Sequence, residues 1–224
     1  MILYHGSENV IEKPIYGCGK RTNDYGRGFY CTKDVDMAKE WACGDNRDGW
    51  ANKYEFDIKG LNVLDLNSDS YNILNWLALL AKNRTYWQNG SISFNAKKYI
   101  EDNFLIDISE YDVVIGYRAD DSYFSFAQDF VSGVISLNQL SKAMRLGSLG
   151  EQVVLISERS FDRIKFIDNT LASSSEYYYK RAKRDSLARK DYTRIREEEA
   201  DINDLYMLDI MREEIRDGDS RLFL

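Results

Sequence analysis

The chain has 224 residues, 44% hydrophobic and 30% charged, the balance of a soluble globular protein with a proper core. A formal charge of −7 argues against a broad nucleic-acid-coating surface. Cys18, Cys31 and Cys43 are odd in number and lack ligand spacing, and His5 is the single histidine. Free thiols in a reducing cytoplasm and no metal site are therefore expected.

The opening residues, MILYHGSENV, carry no basic region and no long apolar stretch, so no secretory leader is expected. Residues 2–4 are β-prone and run into His5-Gly6-Ser7, which puts His5 at the end of a first strand. Residues 17–21 read as loop. Residues 28–32 form a short strand, followed by a helix to about Ala42 that Asp34 or Asp36 can cap. "NKYEFDI" and "NVLDL" are strands around a turn at Gly60. Residues 70–104 hold apolar positions at helical spacing, among them Ile73, Leu74, Leu77 and Leu80. The longest apolar run, Ile73–Ala81, is too short to span a bilayer.

"YDVVIGY" is a buried strand, and "RADDSYFSFAQDFVSG" turns at its Asp pair and continues as a helix to Gly133. "SLNQLSKAMRLG" is a short helix with Ser136 as N-cap and Gly147 as stop. "EQVVLIS" and "FDRIKFIDN" are strands. From Ser174 onward the pattern is helical and highly charged, with no glycine before Gly218. Strands and helices alternate without a βαβ rhythm, which indicates an α+β class. The body is expected over 1–170, with a charged helical extension over 171–224.

That extension is split by charge. Residues 177–196 hold eight Lys/Arg against two Asp, a local net of +6, and residues 197–224 hold ten Asp/Glu against three Arg, a local net of −7. One account is a pair of solvated helices that attract each other. The other is a basic strip for an acidic partner or RNA, partly masked by the acidic tail.

Several common catalytic patterns are missing: G-x-G-x-x-G, Walker A, G-x-S-x-G and H-E-x-x-H. What stands out instead is His5-Gly6 at a strand end, Tyr30 behind "GRG", Trp41 eleven residues later, and Glu151 opening a late strand. "YHGS", "YGRGFYCTKDVDMAKEWA" and "LGEQVVLIS" resemble the three signature strands of the His-Tyr-Glu class of ADP-ribosyltransferases, the diphtheria-toxin and poly(ADP-ribose) polymerase class. More closely, the chain resembles an uncharacterised bacterial family of that fold in which "YRADDSYF" also recurs. The resemblance covers about residues 1–170 and implies a split β-sheet core with flanking helices.

By that resemblance NAD is the substrate and no metal is needed. His5 matches the histidine that binds the adenine-side ribose, and Gly6 the glycine whose backbone grips the carboxamide; Ser7 belongs to the same motif. An imidazole offers one donor and one acceptor, and a glycine permits close backbone approach. Tyr30 matches the tyrosine that packs on nicotinamide, and Trp41 falls where a second stacking aromatic stands. Such stacking contributes about 0.5–1.5 kcal/mol beyond area burial, and the cationic ring adds attraction to aromatic faces. The alternative for both aromatics is core packing.

Glu151 matches the catalytic glutamate that steadies an oxocarbenium-like ribosyl cation. Adjacent strand residues face opposite sides, so only one of Glu151 and Gln152 can face the cleft. Glu151 is the expected one, because a neutral amide stabilises a cation less well. Arg118, Asp120, Asp121 and Tyr123 form either a capped turn or a cleft rim, with Arg118 on the pyrophosphate or an Asp orienting the acceptor. Arg27 and the "CGKR" loop are further pyrophosphate candidates.

The resemblance thus implies an NAD-dependent ADP-ribosyltransferase acting on a macromolecular target, protein or nucleic acid. The role would be toxin-like or phage-defensive, under an antitoxin or regulator, with no membrane partner. An NAD glycohydrolase and a non-catalytic binding module of the same fold are the alternatives. Related enzymes that modify arginine carry Gln or Glu two residues before the glutamate. Leu149 stands there instead, which makes arginine-directed transfer less expected.

Overall fold

Short strands with one face apolar need a second layer, and here two small sheets supply it for each other. The computed structural model describes residues 1–84, 91–119, 121–146, 150–199 and 201–223. One sheet runs β1-β3-β7, all antiparallel, from β1 (Ile2–Ser7), β3 (Gly49–Phe56) and β7 (Ile164–Ala172). The other runs β2-β6-β5-β4, from β2 (Phe29–Cys31), β6 (Glu151–Leu155), β5 (Val113–Tyr117) and β4 (Val63–Asp65). Its β4–β5 pair is parallel and the rest antiparallel. Tyr4 and Thr32 exchange backbone hydrogen bonds of 2.8 and 2.9 Å, stitching β1 to the end of β2.

Between the sheets, Leu3, Tyr54 and Phe56 meet Cys31, Val153 and Leu155, all nearly excluded from solvent. The opposite face of the second sheet, through Val114 and Val154, packs on helices around Trp76, Phe126 and Phe130. These are α2 (Ile73–Asn83), α3 (Ser91–Phe104), α4 (Asp121–Val131) and α5 (Leu137–Ala143). Eight α-helices and two sheets among the described residues make this a mixed α+β protein.

Local chemistry sets the element ends. Asp34 Oδ1 accepts from the amides of Asp36 and Met37 and starts α1 (Val35–Ala42). Asn72 and Ser136 cap α2 and α5 in reciprocal arrangements with Asn75 and Gln139. A β-carbon on Gly6 or Gly49 would collide with the carbonyl oxygen of Ala38 or Ala42. Both glycines are therefore what lets α1 lie directly on β1 and β3.

After β6 comes a one-turn α6 (Glu158–Phe161), and after β7 the long α7 (Ser174–Glu197) and α8 (Met207–Arg212). These C-terminal helices give Ala188, Tyr192, Met207 and Ile210 to the same core as Trp76 and Phe126. No described helix is long and apolar enough to cross a membrane.

Candidate functional site

A cavity of about 1170 Å3 opens where β1, β2, α1 and α7 meet. His5, Gly6 and Ser7 line it from β1, Tyr30 from β2, Trp41 from α1, and Arg118 from the segment after β5. The expected convergence of the first strand, the aromatic strand and the following helix therefore occurs.

His5 Nδ1 lies 2.7 Å from the carbonyl oxygen of Tyr30. A carbonyl can only accept, so Nδ1 carries the proton and Nε2 the lone pair. Burial pushes the imidazole below its ordinary pKa, opposed by that hydrogen bond, so the ring is neutral. The ring also stacks on Phe29 at 4.3 Å between centroids, which fixes its plane. Ser7 Oγ donates to Asn9 O at 2.7 Å and accepts from Asn52 Nδ2 at 2.8 Å, holding the mouth of β1.

The phenol of Tyr30 serves its own loop. Its oxygen accepts from the Tyr25 amide at 3.0 Å and donates to Gly26 O at 2.7 Å. Burial raises its pKa well above the usual range, so it stays protonated. Trp41 is covered on one face by the Arg118 guanidinium, 4.3 Å from the ring centroid. Its Nε1 is a buried donor without a hydrogen-bond partner.

Two neighbouring residues of β6 take opposite faces, as strand geometry requires. Tyr30 pairs with Val154, so Tyr30, Val154 and Gln152 share one face and Cys31, Val153 and Glu151 the other. Gln152 accordingly lines the cavity, almost fully buried, and donates through Nε2 to Asp24 Oδ2 at 3.2 Å. Its Oε1 is buried and has no partner.

Glu151 corrects the expectation that it faces the cavity. It lies outside the lining, its side chain 41% exposed, with Oε2 2.9 Å from Lys33 Nζ and Oε1 accepting from Asn67 Nδ2 at 3.1 Å. Strand register fixed this, and charge preference could not override it.

Three other expectations are revised. Arg27 is exposed and lines a separate shallow groove with Tyr25 and Asn83, away from the cavity. Tyr123 belongs to the core, packed on Phe126 and donating to Leu146 O, and not to a rim. In the "CGKR" loop, Cys18, Gly19 and Lys20 line the cavity, and Arg21 does not. Asp120, Gly147 and Leu149 lie outside the described residues, as does the side chain of Asp121, whose backbone opens α4.

Asp24 is the wall residue that sequence reasoning passed over. Its carboxylate accepts from Arg84 Nε at 2.9 Å, from the Ala119 amide at 2.9 Å, and from Gln152. Burial pushes its pKa up, while Arg84 and the Ala119 amide hold it down. The only advance signal was an Asn-Asp pair ahead of the aromatic strand. A partner sixty residues away is invisible at that range.

The lining is strongly cationic. Lys13, Lys20 and Arg47 come from the N-terminal half, Arg84 and Arg118 from the far side, and Arg181 and Arg189 from α7. Against these seven stand Glu8, Asp24 and Asp185, so the wall of an acidic protein is itself positive. Such a concentration of field favours an anionic ligand. No group of residues suited to hold a metal occurs among the described residues.

An α+β protein with a cationic, aromatic-lined cavity at the join of two sheets is the class so defined. The chain belongs to the family described as Protein of unknown function (DUF3990), whose model matches residues 1–166. No curated protein and no solved structure matches it.

Proposed function

We propose that this chain binds NAD in the cationic cavity and is an NAD-dependent ADP-ribosyltransferase acting on a macromolecular target. The observation that carries the reading is the convergence of His5, Tyr30, Trp41, Arg118 and Gln152 on one positive cavity, whose walls bury two unsatisfied polar atoms. An unpaired buried polar atom costs about 1–3 kcal/mol, so such atoms call for a partner. Trp41 Nε1 is left with a donor to offer and Gln152 Oε1 with an acceptor. The split arrangement of two small sheets, with the His5 and Tyr30 strands joined at Tyr4 and Thr32, fits an ADP-ribosyltransferase-like core.

In this reading His5 Nε2 accepts from a ribose hydroxyl, and the Lys and Arg side chains of the wall meet the pyrophosphate. The bond between ribose C1′ and the nicotinamide nitrogen breaks, its electron pair leaves with neutral nicotinamide, and positive charge develops on the sugar. The acceptor's nucleophile bonds to C1′ and gives up its proton. Gln152 takes the sugar-facing position, its Oε1 accepting from the ribose 2′-hydroxyl and placing partial negative charge beside the cation. A neutral amide does this less well than a carboxylate, so turnover is slow.

A second reading is favoured by one observation. The single Glu of the late strand is engaged by Lys33 and Asn67 outside the cavity. A non-catalytic NAD-binding module would look the same.

Calorimetry with NAD and chromatographic detection of released nicotinamide separate the readings. The enzyme reading expects binding and release, lost in Gln152→Ala and kept in Glu151→Ala. Binding without release supports the module, and no binding sinks both. With labelled NAD in lysate, label on macromolecules means transfer, and free ADP-ribose alone means hydrolysis.

A further inference from the structure

The cavity is larger and more positive than one dinucleotide requires. Ligand pockets commonly span about 300–1,000 Å3, and this one reaches about 1170 Å3. NAD carries a net charge of only about −1, since its cationic ring offsets half of its phosphate charge. Arg84 is already matched by Asp24, Arg47 by Glu8 and Arg189 by Asp185, and Arg118 lies on Trp41. Among the described residues, Lys13, Lys20 and Arg181 form no ion pair.

Part of that charge comes from α7, beyond the part of the chain that the family model covers. Tyr178, Arg181, Ala182, Asp185 and Arg189 line the cavity, a spacing that forms one helical stripe. That stripe is held in place from behind. Arg184 Nη2 is 2.6 Å from Glu40 Oε2, and Tyr192 donates to Asp129 at 2.6 Å while stacking on Phe126. The acidic tail does not mask it: the ion pairs described for Glu198, Asp209, Glu213 and Asp219 run to Lys142, Arg212 and Arg221. Next to the stripe, Tyr179 is 67% exposed and sits edge-on to Tyr178.

We propose that this face of α7 seats single-stranded nucleic acid at the cavity mouth, which, given the function proposed above, makes a nucleotide the acceptor. Arg181, Lys13 and Lys20 meet backbone phosphates, Arg189, held by Asp185 at 3.0 Å, extends the strip, and the Tyr178–Tyr179 pair offers rings for bases. A cationic groove with aromatic rings at its edge is the arrangement that tracks an unpaired strand. An acidic peptide would be served by charge alone and gives no use for an exposed tyrosine. A duplex cannot put one base into a recess lined by His5 and Gln152 without unpairing it.

The test is fluorescence anisotropy on the full chain without NAD, using labelled single-stranded RNA and DNA oligonucleotides, a duplex and a polyglutamate peptide. A single strand should bind, more weakly as salt rises. The double variant Arg181→Glu/Arg189→Glu, its fold checked by circular dichroism, should bind at least about tenfold more weakly. Tyr179→Ala, outside the cavity lining, should weaken strand binding about fivefold and leave NAD affinity unchanged. Absence of strand binding at low salt, equal binding of duplex or polyglutamate, or indifference to the Arg pair would overturn the proposal. A failed NAD titration alongside intact strand binding would sink the function proposed above and leave the strand site standing.

Discussion

Burial holds His5 below its ordinary pKa of 6.5, and the single hydrogen bond to Tyr30 O only partly offsets this. The unfolded chain therefore takes up a proton at higher pH than the folded one. The contribution of a neutral His5 to stability is fully present above pH 6.5 and is lost as pH falls toward the folded value. His5→Gln has no such proton to bind. Between about pH 7.5 and about pH 5, urea unfolding should show wild-type stability falling more steeply than that of the variant. Parallel profiles would mean that the imidazole is solvated in the folded state. His5 itself was legible as a residue near the end of the first strand, and Gly6 after it as a point of close backbone approach, which α1 occupies. The choice between Glu151 and Gln152 was not. The residue alternation was readable, but its phase depends on Tyr30 standing opposite Val154, a pairing across more than a hundred residues.

At the scale of elements, α1 ties the two halves of the chain together. Its outer side holds Glu40, whose carboxylate accepts from Arg184 Nε at 3.0 Å and Nη2 at 2.6 Å. With side chains only 10% and 14% exposed, this pair is largely out of water. Removing one partner of a buried pair costs about 3–5 kcal/mol. Glu40→Ala should therefore lower unfolding free energy in urea by about 3 kcal/mol. Glu40→Ala combined with Arg184→Leu should recover much of that loss, since no charge is then left buried. A double variant as unstable as the single one would refute the account. Helix starts were the most legible feature, because Asp34 and Ser136 act through amides two or three residues away. Strand β3 was read three residues late at its start and two too far at its end, over 52–58 instead of Gly49–Phe56. Gly49 looks like a breaker in sequence, but its bare backbone is what α1 packs against. The helical reading after Ser174 ran on past the break that follows α7, because that break contains no glycine or proline to announce it.

Across the whole molecule, the opposed charge blocks near the C-terminus were plain in the sequence, but where each one points was not. A charge count cannot tell that Arg181 faces a cavity while Arg196 does not line it. Nor does high charge reveal that the same segment completes the core. Ala188, Tyr192, Met207, Ile210, Ile215 and Leu222 are buried against the cluster that contains Trp76 and Phe126. Burying one large apolar side chain contributes about 1.5–3 kcal/mol, and a typical domain is stable by only about 5–15 kcal/mol. Losing these six together exceeds what such a domain can spare. A chain ending at Ser173 should consequently fail to fold, giving insoluble product or a broad, non-cooperative thermal profile by circular dichroism. The full chain should melt in a single transition. A sharp melt from the shortened chain would instead establish residues 1–170 as an independent folding unit. The α7 wall of the cavity would then be a separable addition to it.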